Sequence, residues 1–333
     1  MIGRRSISEV SGMRAAVMLL AAGLQAGASF LPGAGLAQSA EAVSTGCMAQ
    51  GGVTEIAAGA FVREGATALP GPVNGGAIAN IGFIIGRESV AVIDTGGSLC
   101  DGLALREAIR ARTALPVSTV INTHVHPDHI FGNAAFAGPG VAILAHRNLP
   151  RAQAERGEHY LRSYGAQLGP VAMEGTKLVP PTEIVRDRTQ IDLGGRILII
   201  EALPAAHTDH DLTVFDQSSG ILWTGDLVFL DHVPVLDGSL KGWLGVTEAL
   251  MRHEAKQIVP GHGAAPAPWP SAGEHQLRYL RRLASDLRQA VDAGKGIREA
   301  AQVAGTSESG NWRLFDSFNA RNATTGFAEL EWD

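Results

Sequence analysis

Short apolar runs recur along the chain, and each is bounded by turn residues such as Gly, Pro, Asn or Asp. Runs of this length predict β-strands, and an unbroken apolar run favours a strand that is buried on both faces. Gly194-Gly195 adds a predicted hairpin, because two glycines tolerate positive φ. The predicted strands cover residues 56–62, 80–85, 89–93, 117–121, 141–145, 196–202, 212–215, 221–224 and 258–263.

A second pattern, apolar residues three and four positions apart, predicts helices between several of these strands. The pattern is clearest where four leucines of residues 277–287 share one helical face. The alternation of strands and helices predicts an α/β protein. The predicted helices cover residues 103–112, 151–165, 246–253 and 274–293, and a further helix is expected to begin at residues 132–134.

Length and charge narrow the possible partners. A chain of 333 residues suits one large domain or two modest ones. The formal net charge is −6, and the sequence contains no strongly basic stretch. This composition argues against nucleic acid as a partner.

The N-terminus predicts an export signal. Arginines at positions 4, 5 and 14 precede an uncharged stretch, residues 15–40, and Gly35-Leu36-Ala37 offers a cleavage site of mainly small residues. The most apolar part, residues 15–24, is shorter than the about 20 residues that a membrane-spanning helix needs. We therefore expect a secretory signal peptide at residues 1–37, no stable membrane insertion after cleavage, and a periplasmic or secreted protein. An uncleaved anchor is the alternative.

The export route has two interpretations. Arg4-Arg5 suits twin-arginine export, although Glu9 lies between these arginines and the apolar run. A start at Met13 would instead give an ordinary Sec signal. Cleavage after residue 37 would remove three Arg and one Glu, a net charge of +2, and would take the formal charge from −6 to −8.

The chain contains two cysteines, Cys47 and Cys100. In an exported protein they could form a disulfide, and two free thiols are the alternative. Their spacing is not that of a metal site.

The densest group of metal-binding side chains follows one of the predicted strands. On an extended segment His124 and His126 point to the same side, because side chains alternate with a period of two. Pro127 cannot donate a ladder hydrogen bond, so the strand ends and Asp128 and His129 turn toward a second point. One loop can thus give two ligands to one metal and two to its neighbour. Imidazole and carboxylate suit zinc.

Further metal-capable side chains follow strand-like runs later in the chain. They are His207 and its competitor His210, then Asp226, then His262. A carboxylate such as Asp226 can bridge two cations, because each of its oxygens can bind one. His146 also follows a predicted strand, but its place beside Arg147 favours a solvated or indirect role.

These residues and their flanks resemble the metallo-β-lactamase superfamily, and within it the subgroup called quinoprotein relay system zinc metallohydrolases. The resemblance covers essentially everything after about residue 55. The matching stretches are IANIGFIIG (78–86), VAVIDTGGS (90–98), INTHVHPDHIFGNAAF (121–136), AHTDHDLTVFD (206–216), GDLVFLDHVP (225–234), GSLKGWL (238–244), VPGHG (259–263) and FAELEW (327–332).

The resemblance implies a four-layer αβ/βα sandwich with the metal site at the sheet edge. This domain would cover residues 55–333, including a C-terminal helical extension, after a short mature tail at residues 38–54.

The resemblance also implies a set of metal ligands. It selects His207 over His210, and it makes Asp94 a structural residue. The implied ligands are His124, His126 and His207 for one metal, Asp128, His129 and His262 for the other, and Asp226 between them. Two zinc ions are expected, with iron possible because imidazole suits both metals.

This ligand set implies a metal-dependent hydrolase of small molecules. Three protein ligands and an open position are typical of a catalytic metal. A metal-bridging hydroxide would attack the carbonyl of an ester, thioester, lactone or amide, β-lactams included. Asp128 would act as the catalytic residue that orients the hydroxide and passes a proton to the leaving group.

Two loops are expected near the substrate. The Gly- and Pro-rich residues 66–76 occupy the place of the superfamily's flap. Residues 231–244 contain His232 and Lys241, which we predict as substrate-binding residues, with a solvated loop as the alternative. Trp243 would be either a pocket wall or a core residue.

Two other functions share this pattern. A mononuclear iron persulfide dioxygenase can have the same ligands, whereas the diiron branch has Glu in place of His126. The subgroup's name suggests an accessory protein of a periplasmic quinoprotein dehydrogenase system, but the complete ligand set favours catalysis. The short connector between Asp226 and His262 leaves no room for the nucleic-acid domain of the RNA-processing branch.

Overall fold

Two β-sheets lie face to face in the computed structural model, which describes residues 52–332. The first sheet has seven strands in sequential order, antiparallel from β1 to β4 and parallel from β4 to β7. Its strands are β1 Thr54–Ala57, β2 Ala60–Arg63, β3 Ile81–Ile85, β4 Val90–Ile93, β5 Val117–Ile121, β6 Ala142–His146 and β7 Glu183–Val185.

The second sheet has six strands in the order β13-β12-β11-β10-β9-β8. Only the β11–β12 pair is parallel within this sheet. Its strands are β8 Arg188–Asp192, β9 Ile197–Ala202, β10 Leu212–Asp216, β11 Ile221–Phe229, β12 Gln257–His262 and β13 Ala267–Pro268.

Helices cover the outer face of each sheet. The α-helices are α1 Leu99–Arg110, α2 Pro127–Ile130, α3 Leu149–Leu168, α4 Leu240–Leu250, α5 Gly273–Asp292, α6 Ile297–Val303 and α7 Phe315–Leu330. Short 3-10 turns occur at Asn133–Ala135 and Thr306–Asn311.

The side-chain alternation of the strands explains why there are four layers. In β4, Ala91 and Ile93 face the core between the sheets, whereas Val90 and Val92 face the core under α1. In β11, Trp223 packs between the sheets and Leu222 packs under α4, α5 and α7. Both faces of these strands are therefore buried, as their unbroken apolar runs predict. The predicted α/β sandwich is confirmed.

Two predicted helices differ from the structure. The helix expected from residues 132–134 is a single 3-10 turn, because Asn133 bonds through its side chain to Thr95 and Asn122 instead of continuing a helix. The helix predicted at residues 246–253 begins earlier, at Leu240. Ser239 caps it by accepting a hydrogen bond from the Gly242 N–H at 2.9 Å.

Strand β11 is longer than the sequence predicts. It continues past Gly225, which has φ +50°, and ends at Phe229. The register with β12 shifts on both sides of Gly225. Asp226 consequently lies within a bent strand and not in a turn.

Several predictions lie outside the described residues. They are the signal peptide at residues 1–37, the choice of start at Met13, and the contribution of Cys47 to a disulfide with Cys100. Between residues 52 and 332, no helix has the length and apolar character that a membrane crossing requires.

Candidate metal centre

The loop after β5 is held in place by one carboxylate. Asp94, at the end of β4, accepts hydrogen bonds from the Thr123 N–H at 2.8 Å and the Thr123 hydroxyl at 2.7 Å. Asp94 has φ +55°, a conformation that costs free energy in a non-glycine residue and persists where contacts fix it. Pro127 then opens helix α2, which carries Asp128 and His129 away from the strand direction.

The loop between β9 and β10 places His207. Asp211 accepts hydrogen bonds from both the backbone N–H and the hydroxyl of Thr208, which closes a tight turn. Burial raises the pKa of Asp211 to about 7, even though the bonds from Thr208 oppose this shift. The backbone carbonyl of His207 accepts a hydrogen bond from the Asp237 N–H at 3.1 Å.

The remaining two residues come from strands β11 and β12. Asp226 lies in β11, and His262 ends the neighbouring β12. The His262 ring stacks on Phe229, with centroids 5.1 Å apart and planes 6° apart. These strand ends and the β9–β10 loop lie at the same edge of the second sheet.

The seven predicted ligands form two adjacent groups. His124, His126, His207 and Asp226 form one group, and Asp128, His129 and His262 form the other. In the first group, His126 Nδ1 lies 3.0 Å from both His124 Nε2 and His207 Nε2. In the second, Asp128 Oδ2 lies 3.3 Å from His262 Nε2 and 3.7 Å from His129 Nε2.

Asp226 reaches both groups with different oxygens. Its Oδ2 lies 3.4 Å from His207 Nε2 and 3.6 Å from His124 Nε2. Its Oδ1 lies 3.1 Å from His129 Nε2 and 3.4 Å from His262 Nε2. A Cβ at Gly261 would lie 1.9 Å from Asp226 Oδ1, so this position has no room for a larger residue.

Each histidine has a nearby oxygen at the ring nitrogen that faces away from its group. The contacts are His124 Nδ1 to Thr123 Oγ1 at 3.1 Å, His126 Nε2 to Asp237 Oδ2 at 3.2 Å, His129 Nδ1 to Asp94 Oδ2 at 2.8 Å, His207 Nδ1 to the Val235 carbonyl at 2.6 Å, and His262 Nδ1 to the Ile78 carbonyl at 2.9 Å. A carbonyl or carboxylate requires the ring to donate, which in the neutral ring leaves the inner nitrogen free to bind a metal ion. This is the arrangement that orients metal-binding histidines.

Several observations test whether these groups fit metal ions. His129 Nε2 and Asp226 Oδ1 are buried and have no hydrogen-bond partner among the described residues. Imidazole nitrogens bind zinc at about 2.0–2.1 Å, which places tetrahedral ligands about 3.3 Å from one another. The six spacings given above within the two groups, 3.0–3.7 Å, lie close to that value. The donor atoms present therefore fit two ions of a zinc-like metal.

The buried ionisable side chains of the two groups also favour the binding of cations. Burial alone would raise the pKa of Asp226, but His262, His129 and His124 hold it well below the usual range. Burial lowers the pKa of His207 to about 3. Burial would lower the pKa of His262 as well, yet Asp226 and Asp128 raise it to about 9. The second group therefore attracts positive charge, because Asp128 and Asp226 both lie beside His262.

A cavity of about 220 Å³ opens onto both groups. Its wall includes His126, Asp128, Asp226 and His262 from the two groups. Loop 66–76 contributes Ala68, Leu69 and Pro70 to the wall, which agrees with the expectation that this loop lies near the substrate. Helix α3 contributes Tyr160, Ser163, Tyr164 and Gln167.

The two predicted substrate residues lie in different places. His232 lines the cavity, and its ring centroid lies 4.9 Å from that of His262. Lys241 is not among the lining residues. It is exposed in the first turn of α4, because the loop predicted over residues 231–244 becomes helical at Leu240.

Trp243, His146 and His210 are buried but belong to neither of the two groups. Trp243 is fully buried, donates to the Leu227 carbonyl at 2.9 Å and packs 5.4 Å from the His207 ring, so it is a core residue behind a ligand. His146 is 1% exposed, so the solvated interpretation was wrong. His210 contacts the Thr208 hydroxyl at 2.8 Å and belongs to neither ligand group.

The sequence did not reveal Asp237 and Arg321 as residues of this site. Asp237 contacts His126, and Arg321 lines the cavity from helix α7. Asp237 lies in the segment 231–244, which is the least generic of the loops, so a signal existed there. Arg321 had none, because it is one of several charged residues on a helix far along the chain.

Comparisons with known proteins agree on the fold. A family model described as the metallo-beta-lactamase superfamily matches residues 74–262. A linear primary-alkylsulfatase from Pseudomonas sp. (strain ATCC 19151) is 23% identical over 233 residues, covering 60% of this chain and 43% of that protein. The metallo-beta-lactamase IND-1 from Chryseobacterium indologenes is 22% identical over 212 residues, covering 61% of this chain and 79% of that protein.

Two solved structures show the same architecture. The stereoselective inverting sec-alkylsulfatase Pisa1 from Pseudomonas sp. matches with a TM-score of 0.61 and 16% identity, over 76% of this chain and 45% of that chain. A metallo-beta-lactamase from Pontibacter korlensis matches with a TM-score of 0.55 and 23% identity, over 69% of this chain and 98% of that chain. This chain thus spans less than half the length of the alkylsulfatases that it matches.

Proposed function

The chain belongs to the metallo-beta-lactamase superfamily, and from that premise we propose that it is a dinuclear zinc hydrolase that cleaves an ester, thioester, lactone or amide bond in a small molecule. One observation carries the proposal. The two oxygens of Asp226 approach two separate groups of buried ligands that open onto one cavity. A site built for a single structural ion would have no use for the second group.

The proposed ligands are those that the groups supply. His124, His126 and His207 would hold one ion, Asp128, His129 and His262 would hold the other, and Asp226 would bridge them. Bound zinc would lower the pKa of water from about 15.7 to about 7 and polarise the carbonyl to be attacked.

Asp128 is the proposed proton carrier. It lines the cavity, and its Oδ2 is held 3.3 Å from His262 Nε2. Burial opposes ionisation, but His129 and His262 lower the pKa of Asp128, so it is a carboxylate at neutral pH. It accepts a proton from the attacking water and delivers that proton to the leaving group.

His232 is the proposed contact for the substrate. Its Nδ1 donates to the Val233 carbonyl at 2.9 Å, which leaves Nε2 as a hydrogen-bond acceptor. Burial lowers the pKa of His232 to about 4, so the ring is neutral at pH 7. Phe229 and Phe318 add apolar surface to the same wall.

The subgroup and the location form a second part of the proposal. We assign the chain to the quinoprotein relay system zinc metallohydrolases, which links it functionally to quinoprotein dehydrogenases. The support is the set of flanking motifs, such as GSLKGWL at residues 238–244, together with the export signal predicted at residues 1–37. A cleaved export signal would take the enzyme to the periplasm, where the proposed subgroup acts.

The test is hydrolysis by the purified zinc-loaded protein. Assays would cover an ester, a thioester, a lactone, a β-lactam and an alkyl sulfate, the last because two relatives are named alkylsulfatases. We expect Asp128→Asn to lower kcat by about 100-fold or more. Asp187→Asn, at a 94% exposed side chain, is the matched control and should retain activity.

Two outcomes would contradict the proposal. Oxygen consumption with a persulfide by the iron-loaded protein, without hydrolysis by the zinc-loaded one, would establish the dioxygenase. Failure to bind metal at all would leave the accessory-protein function.

A further inference from the structure

Part of the cavity wall comes from outside the segment that defines the family. The family model matches residues 74–262, whereas the wall includes Leu314, Phe318 and Arg321. These residues lie at the start of α7 and in its first turns. The C-terminal extension therefore belongs to the site and is a source of properties that are particular to this chain.

Backbone contacts fix this extension to the rim of the cavity. The Val233 N–H donates to the Arg313 carbonyl at 3.0 Å, and the Arg313 N–H donates to the Asp231 carbonyl at 2.9 Å. Leu314 has φ +55° and Asp231 has φ +69°, so both paired segments are strained. With Asp94, these are the non-glycine residues of the described chain that have positive φ, and all three border the site. Strain of this kind is typical of a functional wall.

The extension brings a positive charge to the cavity. Arg321 is the one Arg or Lys among the described residues that line it. Its Nη2 donates to Asp237 Oδ1 at 2.9 Å, and Arg156 Nη1 donates to Asp237 Oδ2 at 2.5 Å. Two guanidinium groups share one carboxylate, so the cluster of Arg156, Asp237 and Arg321 carries a net charge of +1.

Arg321 retains the capacity to bind a further anion. A guanidinium has five N–H donors in a planar fork, and the bond to Asp237 uses one of them. The side chain is 53% exposed, so the other donors are accessible from the cavity mouth. Such a fork suits a carboxylate or a sulfate.

The surface beside Arg321 is apolar. Leu69, Pro70, Leu314 and Phe318 line the same cavity from two sides. Leu69 is 48% exposed, so its side chain is accessible to an occupant of the cavity. An occupant of this cavity would therefore lie among proposed metal ligands, apolar side chains and one arginine.

We propose that Arg321 is a specificity residue that selects amphiphilic organic anions, in which an oxyanion such as a carboxylate or sulfate is separated by an apolar chain from the bond to be cleaved. The oxyanion binds Arg321, and the apolar chain lies against Leu69, Leu314 and Phe318. This inference rests on the proposed hydrolase function, since it names the substrate class of that site.

The test compares two esters that differ in one charge. 4-Nitrophenyl hexanoate and the mono-4-nitrophenyl ester of adipic acid have acyl chains of equal length, and the second ends in a carboxylate. We expect Arg321→Gln to lower kcat/KM for the adipate ester by about ten-fold, mainly through KM, because a charge-assisted hydrogen bond is lost. The hexanoate should lose less, and any effect that reaches His126 through Asp237 is common to both esters, so the ratio of the two kcat/KM values reports the contact with Arg321. Arg321→Lys should retain part of the preference.

Arg281→Gln is the matched control. Arg281 is also an exposed arginine in an ion pair, with Glu248, but it does not line the cavity. An equal loss for both esters in Arg321→Gln would show a general disturbance of the site and overturn the assignment. So would an unchanged preference for the adipate ester.

A binding measurement separates this inference from the hydrolase proposal. Calorimetry would compare 6-phenylhexanoate, 6-phenylhexyl sulfate and neutral 6-phenylhexan-1-ol on the metal-loaded wild type and on Arg321→Gln. Any attraction of the anions to metal is common to both proteins, so the difference between them reports Arg321. Weaker anion binding in the variant without ester hydrolysis by either protein would support Arg321 and contradict the hydrolase. Equal anion binding by both proteins would overturn the assignment of Arg321, and the ranking of the two anions shows which oxyanion the site prefers.

Discussion

At the scale of the residue, the site depends on side chains that hold other side chains. Asp226 can approach both groups because position 261 is glycine, and Asp94 fixes Thr123 and His129 together. Asp237 does the same for His126, and it is itself held by Arg156 and Arg321. Partners of this kind are expected to matter nearly as much as the ligands.

Substitution of Asp237 tests this indirect role. Asp237→Asn removes the charge that holds His126 Nε2, so we expect zinc affinity at the first group to fall about 10- to 100-fold. Competition with a chromogenic chelator measures the affinity of each site. Asp209→Asn is the control, since Asp209 also pairs with an arginine, Arg151, but contacts no ligand. Unchanged affinity at both sites in Asp237→Asn would show that His126 does not need this partner.

The site residues that could be predicted from the sequence lie close together along the chain, whereas those that were missed lie far from their partners. His124, His126, Asp128 and His129 lie within six positions, and a local pattern is visible without a structure. Asp237 is 111 positions from His126, and their contact depends on how α3, α7 and the loop between β11 and α4 pack. The residues next to Asp237 in the sequence therefore do not predict its contact with His126.

At the scale of the element, the segment between β11 and α4 is held by hydrogen bonds to side chains of helix α7. The fully buried Asn322 accepts a hydrogen bond from the Leu236 N–H at 2.9 Å and donates to the Pro234 carbonyl at 2.6 Å. Glu329 accepts from the Ser239 hydroxyl and the Leu240 N–H, both at 2.6 Å. The substrate-facing segment therefore takes its shape from the C-terminal helix.

Removal of the Asn322 side chain tests this support. Asn322→Ala would leave a buried N–H and a buried carbonyl unpaired, so we expect the free energy of unfolding to fall by about 3 kcal/mol. Urea titration followed by circular dichroism measures the change. Thr324→Ala, at an exposed position of the same helix, should change it by less than about 0.5 kcal/mol. Equal effects of the two substitutions would contradict the role of Asn322.

Element boundaries were harder to predict than the elements themselves. The strand predicted at residues 117–121 matches β5 at both ends, although its sequence VSTVI mixes polar and apolar residues and its first two positions are only half-buried. The start of α4 was missed because the glycines at positions 238, 242 and 245 made this segment resemble a loop. Ser239 and Glu329 stabilise that start, and Glu329 lies 89 positions from the Leu240 N–H that it binds.

At the scale of the whole molecule, the proposed metal centre draws its residues from both sheets. His124, His126, Asp128 and His129 follow strand β5 of the first sheet. His207, Asp226 and His262 belong to strands or loops of the second. Each ligand group contains residues from both sheets, so bound metal would link the halves of the sandwich at one edge.

Metal removal should therefore lower the stability of the whole protein. A ligand that binds only the folded state at 1,000 times its Kd contributes about 4 kcal/mol. For a protein of this size we expect the Tm to fall by roughly 10 °C in excess EDTA and to recover when zinc is restored. Differential scanning fluorimetry measures the shift. A Tm that EDTA leaves unchanged would show that metal does not tie the sheets together.

The central claim is that Asp226 bridges two metal ions, and metal stoichiometry tests it most directly. The measurement is inductively coupled plasma mass spectrometry of the purified wild type and of Asp226→Ala after dialysis, with circular dichroism as the check on folding. We predict two zinc ions per chain in the wild type, with at least one lost or weakened in the variant. One ion in the wild type, or two tightly held ions in Asp226→Ala, would contradict the bridge.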